Sequence, residues 1–127
     1  MYLAAACDIR VGSLGLTRFR RGWYLYAGSA RGPGGLRARC GRHLRQGKTQ
    51  RWHIDFLTGI APPRQILFAV DLTEERLVEK LLHSRELEQP VRGFGATDSR
   101  ASSHLFYSED FPDISRLTRE MSLFVPE

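Results

Sequence analysis

The 127 residues, 42% of them hydrophobic, are enough for one domain that buries a core without help from disulfides or a structural metal. The chain has no long apolar run, and its first residues lack the charged-then-hydrophobic pattern of an export signal. A membrane-spanning or secreted protein is therefore not expected, and the cytoplasm is the expected compartment. The net charge of +5 is unevenly spread, because residues 1–52 carry eleven Lys or Arg against one acid, Asp8, while residues 53–127 carry eight against thirteen acids.

In chain order, Tyr2 to Cys7 reads as a strand of mainly small apolar residues. Ile9–Val11 and Leu16–Phe19 read as short strands around a Gly12-Ser13-Leu14-Gly15 turn. Trp23 to Ala27 is an aromatic run bounded by Gly22 and Gly28, the composition of a buried or half-buried strand. Ser29 to Gly35 is a Gly/Ser/Pro loop, and a helix is predicted from Gly35 to Gln46 with Leu36, Cys40 and Leu44 as its apolar stripe. A second short helix is expected over Arg51 to Thr58, a strand over Gln65 to Val70, and a helix from Glu74 to Leu87 capped by Asp71 or Thr73. Leu77, Val78, Leu81 and Leu82 would face the core from that helix. Gly93 to Ser103 reads as a loop, Leu105 to Tyr107 as a strand and Ile114 to Met121 as a terminal helix. Adjacent strands joined by short connections favour antiparallel pairing, so a single small α/β domain, a mainly antiparallel β-sheet flanked by helices, is predicted.

The basic half holds the aromatic strand and the arginine-loaded helix. At about 100° per residue, Arg39 and His43 fall beside the apolar stripe, and Arg37, Arg42 and Arg45 fall on the far face. The far-face arginines, extended by Lys48, are expected either to track nucleic-acid phosphates or to be a solvated basic surface with no partner. Ser29 is either a turn residue or a phosphate contact.

Tyr26-Ala27-Gly28-Ser29-Ala30 followed by Leu36, Arg39 and His43 resembles the second half of the GIY-YIG nuclease signature, in which Tyr-x-Gly precedes a helix carrying Leu-x-x-Arg-x-x-x-His. Trp52-His53-Ile54-Asp55-Phe56, Gly93-Phe94-Gly95 and Ser103-His104-Leu105-Phe106-Tyr107 are similar to blocks of an uncharacterised branch of that superfamily, some of whose members are fused to endonuclease III. The likeness runs from Tyr2 to about Tyr107. It implies a GIY-YIG-type fold over residues 1–127 and a metal-dependent endonuclease that hydrolyses DNA phosphodiester bonds in a repair setting. The first half of the signature is less complete: Met1-Tyr2-Leu3 keeps the tyrosine without the Gly and Ile.

Carried over residue by residue, the resemblance makes Arg39 the phosphate-facing cation and Tyr26 the tyrosine near the attacking water. Tyr2 matches the tyrosine of the first triplet, and His43 would orient the water or the phosphate. Glu79 would be the ligand of one Mg²⁺ or Mn²⁺, both of which accept oxygen donors and keep several waters. Glu74 and Glu75 read instead as solvated acids of the first helical turn.

His53 and His104 are expected to be hydrogen-bonded structural residues, since no second ligand stands at a metal-site spacing. His83 is expected at the surface. Ser99 and Ala101 stand where relatives often carry cysteines, which argues against a zinc or redox site in that loop. Cys7 and Cys40 lack a Cys-x-x-Cys spacing and read as reduced structural thiols, with a disulfide between them as the alternative. Two other functions remain open: a nucleic-acid-binding module that does not cut, and a protein-interaction domain whose acidic half docks a repair enzyme. Nothing in the sequence separates DNA from RNA or fixes the oligomeric state.

Overall fold

The computed structural model describes residues 1–31, 34–96 and 102–126. Its elements in order are β1 (Tyr2–Leu3), β2 (Cys7–Arg10), β3 (Leu16–Phe19), β4 (Gly22–Tyr26), α1 (Gly35–Leu44), α2 (His53–Thr58), β5 (Ile66–Phe68), α3 (Glu74–Leu82), β6 (Leu105–Ser108), α4 (Ser115–Glu120) and β7 (Ser122–Phe124). The expectation of a small α/β domain with antiparallel sheets and flanking helices is met.

The aromatic strand β4 is central, with β1 on one side and β6 on the other, both antiparallel. The register sets Tyr2 opposite Trp23 and Tyr26 opposite Leu105. Strand alternation then divides the side chains between two faces. Tyr24, Leu105 and Tyr107 point into a core with Leu3, Val11, Phe19, Ile54, Leu57 and Phe94. Ala27 and Phe106 point the other way and pack with Val78 and Leu81 of α3, while Leu25 lies half-buried against the same cluster. Gly22 is required in β4 because a Cβ there would stand 2.7 Å from the Tyr107 hydroxyl, which donates to the Arg21 carbonyl at 2.6 Å.

β2 and β3 form a separate hairpin, Cys7 to Arg10 against Phe19 to Leu16. The first predicted strand is shorter than expected: it stops at Leu3, and Cys7 opens the next one. β5 pairs with β7, a C-terminal strand that the sequence analysis did not separate from the terminal helix. α3 begins at Glu74 as expected, with the Thr73 hydroxyl accepting the Arg76 N–H at 3.2 Å, but it ends at Leu82 rather than Leu87. Leu82 therefore lies at the helix end, 54% exposed and outside the core. Cys7 and Cys40 are free thiols. No described helix is long and apolar enough to cross a membrane. The Ser99 and Ala101 reading lies outside the described residues.

Candidate functional site

The C-terminal end of β4 is where α1, α2, α3 and the Gly93–Gly95 turn converge on Tyr26. Its ring packs edge-on against Phe94, with 6.0 Å between centroids, and against His43 at 6.2 Å. Gly95, at φ +68°, closes one side: a Cβ there would stand 2.9 Å from the Tyr26 hydroxyl, so only glycine lets the turn lie against the phenol. His53 anchors that turn, its Nδ1 accepting the Gly95 N–H at 2.8 Å, which puts the proton of a neutral ring on Nε2. Phe94, fully buried between Tyr26 and His53, accepts the His104 N–H on its carbonyl at 2.8 Å.

α1 brings Arg39 and His43 to the same place. The Arg39 guanidinium lies 4.3 Å above the centre of the Trp52 ring, where stacking orients it with no acidic partner among the described residues. Burial, and then the positive charge of Arg39, push His43 down to about 4, so its imidazole is neutral at pH 7. His43 Nδ1 is buried without a hydrogen-bond partner among the described residues. Burial pushes the Tyr26 phenol up to about 12, and the Glu74 carboxylate pushes in the same direction while Arg39 opposes them.

Glu74 and Asp55 are both carboxylates whose charge reaches Tyr26, and Glu74 has the larger effect. Glu74 opens α3, with its side chain 24% exposed and Oε1 3.0 Å from Nδ1 of the buried His104. Glu74, Val78 and Leu81 stand at i, i+4 and i+7, one face of the helix, and that face meets the central sheet. The sequence reading took Glu74 for a solvated helix acid and Glu79 for the residue beside the apolar stripe; in the structure Glu74 is the partly buried one of the two, and Glu79 is turned to solvent. Glu79 lies about 100° round the helix from Val78, is 60% exposed and faces Arg76 at 3.7 Å.

Tyr2 is also not brought into this cluster. Opposite Trp23 in the register, it shares the face of Trp23, the reverse of the one carrying Tyr24 and Tyr26, and its ring lies 4.8 Å from that of Trp23. Arg42 and Lys48 are not free phosphate contacts either. Arg42 stacks on Trp52 at 4.4 Å, pairs with the buried Asp55 at 2.6 Å and donates to the Thr49 carbonyl. Lys48 donates to the Thr58 hydroxyl and the Arg45 carbonyl, each at 3.0 Å, tying the end of α1 to α2. Arg37 and Arg45 are exposed on the outer face of α1. Ser29 is a turn residue that accepts the Arg31 N–H at 3.1 Å and lines the cleft beside Tyr26.

Asp55 locks the arrangement in place. Burial alone would push its carboxyl up, but N–H donation from Trp52 and Arg51 and the bond from Arg42 outweigh burial and hold it below the usual carboxylate range. Trp52 is thereby fixed under both arginines, so the Trp52–Asp55 segment and the Arg39–His43 segment form one rigid wall. The sequence reading missed this role for Trp52 and Asp55. The signal for it was an acid at the third helical position of α2, where a carboxylate caps free N–H groups.

Among the described residues no group of three or more His, Cys, Asp and Glu could enclose a metal ion. Glu74 alone offers a partly exposed hard oxygen donor next to Tyr26, which suits a cation that keeps most of its waters and does not suit zinc.

The chain belongs to the family described as domain of unknown function DUF123, whose model matches residues 1–124. No curated protein and no solved structure matches it.

Proposed function

We propose that the protein is a metal-dependent endonuclease of GIY-YIG type, hydrolysing phosphodiester bonds of DNA. The observation that carries this reading is that three separate elements deliver a tyrosine (Tyr26, β4), an arginine with no salt bridge among the described residues (Arg39, α1) and a carboxylate (Glu74, α3) to one strand end. The chemistry of phosphodiester cleavage needs such a set. Negative charge grows on the non-bridging oxygens, and Arg39, already oriented by Trp52, is placed to stabilise it. Tyr26 positions the attacking water. Its phenol is held at about 12 chiefly by burial and then by the carboxylate charge beside it, and that second contribution is one a bound cation can offset. A divalent cation held by Glu74 would supply that offset together with Lewis-acid stabilisation of the phosphate. His43, neutral at pH 7, can accept a proton or a hydrogen bond from the same water or phosphate. The His104 ring stands beside the Glu74 carboxylate, its Nδ1 3.0 Å from Oε1.

A panel of labelled duplex, single-stranded and branched DNAs, incubated with Mg²⁺, Mn²⁺ or a chelator, tests this reading. Cutting is expected with either metal, none with chelator, and a loss of about 10²-fold or more in Arg39→Ala. Metal-independent binding without any cutting would contradict it and would leave a non-catalytic binding module.

A further inference from the structure

The Tyr26–Arg39–His43 cluster is the mouth of a larger feature. A cleft of about 450 Å³ runs from these residues along β4 to Trp23 and Arg64, under β5 and beside α3 and α4. Its walls are mainly apolar, with Leu25, Leu36, Leu67 and Leu77 among them, and it has a few polar groups, including the Ser29 hydroxyl and the Gln65 amide. The size and lining are those of a small-molecule or nucleotide pocket.

Its charge is one-sided. Among the described residues no Asp or Glu lines the cleft, and its two arginines, Arg39 and Arg64, make no salt bridge. Each is held by aromatic rings instead. Arg39 lies over Trp52, and Arg64 lies 5.0 Å from the centre of Tyr2 and 5.6 Å from that of Trp23. An apolar space with an unpaired cation towards each end is complementary to a ligand with a flat apolar body and anionic groups outside it. A nucleotide unit in a strand has that form, with a base flanked by two phosphates. A base still stacked in a duplex cannot enter, because its faces are covered by its neighbours.

We infer that the cleft takes one unstacked nucleobase of the substrate strand, with the adjoining phosphates on Arg39 and Arg64. This rests on the nuclease reading for its substrate class. It makes the protein selective for DNA with an unpaired nucleotide next to the bond at Arg39, and it gives Tyr2 and Trp23, remote from the chemistry, a role in holding Arg64.

Binding measured without divalent cation tests this separately from cleavage. Fluorescence anisotropy would compare a fully paired duplex, the same duplex with one unpaired base, and that duplex with an abasic tetrahydrofuran in place of the base. The wild type is expected to prefer the unpaired base over both controls by about tenfold. Leu67→Phe, which fills the cleft, should abolish the preference while leaving paired-duplex affinity unchanged. Should Leu67→Phe melt well below wild type, Arg64→Gln on an exposed side chain decides: it should weaken the unpaired-base complex more than the paired one. Equal affinity of all three DNAs, or displacement of cleft binding by oleate with no response to the unpaired base, would overturn the inference. Neither result would bear on whether the protein cuts.

Discussion

At the scale of single residues, the most informative one is Asp55. Its buried Oδ2 atom collects two backbone N–H groups and the Arg42 guanidinium. Replacing it with Asn leaves Arg42 without its counter-charge, and a cost of about 3 kcal/mol is expected in a denaturant melt. His43 gives a pH signature of opposite chemistry but the same direction. Its pKa falls from 6.5 to about 4 on folding, so below pH 6.5 the unfolded chain binds a proton that the folded one refuses. Stability should be constant above pH 6.5 and decline as pH falls from there towards 4, and His43→Asn should flatten that decline in a pH series of thermal melts. The choice between Glu74 and Glu79 shows what was legible at this scale. Both are exposed-looking glutamates in one amphipathic helix, and only i, i+4, i+7 counting from Val78 and Leu81 separates them. Knowing that the helix starts against the end of β4 requires the fold itself.

At the scale of elements, the helix carrying most of the basic motif residues is lightly anchored. None of α1 is fully buried, and its stripe of Leu36, Cys40 and Leu44 is only half-covered, with Leu36 and Cys40 lining the cleft. What holds α1 to α2 is polar: Arg42 on Asp55, Lys48 on Thr58 and both arginines on Trp52. Hydrophobic periodicity finds apolar contacts and is blind to a helix docked through its charges, so the ties made by Arg42 and Lys48 had no signal in the sequence. The Gly93–Gly95 turn opens the stretch read as a loop, and the glycine at 95 is required by the contact with Tyr26. Gly95→Ala puts a side chain at φ +68° against the phenol. A stability loss of roughly 1–3 kcal/mol is expected, together with a change in the ring signals of Tyr26 by NMR. The β5–β7 pairing was illegible because its two strands are far apart in sequence and short, so nothing local announces it.

At the scale of the whole molecule, the charge asymmetry of the two halves and the antiparallel sheet with flanking helices were legible in the sequence, because the first follows from composition and the second from short connections between adjacent strands. The structure refines where the basic charge is usable. Arg37 and Arg45 remain exposed, whereas Arg42 and Lys48 are spent on holding α1. Removing Arg37 and Arg45 together should leave the melting temperature unchanged and reduce the slope of log affinity for DNA against log salt by about 2. Arg42→Ala, in contrast, should act chiefly on stability.

The most direct measurement compares Glu74→Gln with Glu79→Gln in the metal-dependent cleavage assay, each variant being checked by thermal melt. Loss of cutting in Glu74→Gln with wild-type cutting in Glu79→Gln is the expected result, as the proposed cation site is the carboxylate beside Tyr26 and His104 and not the one beside Arg76. Full cutting by a folded Glu74→Gln would contradict the assignment of the site.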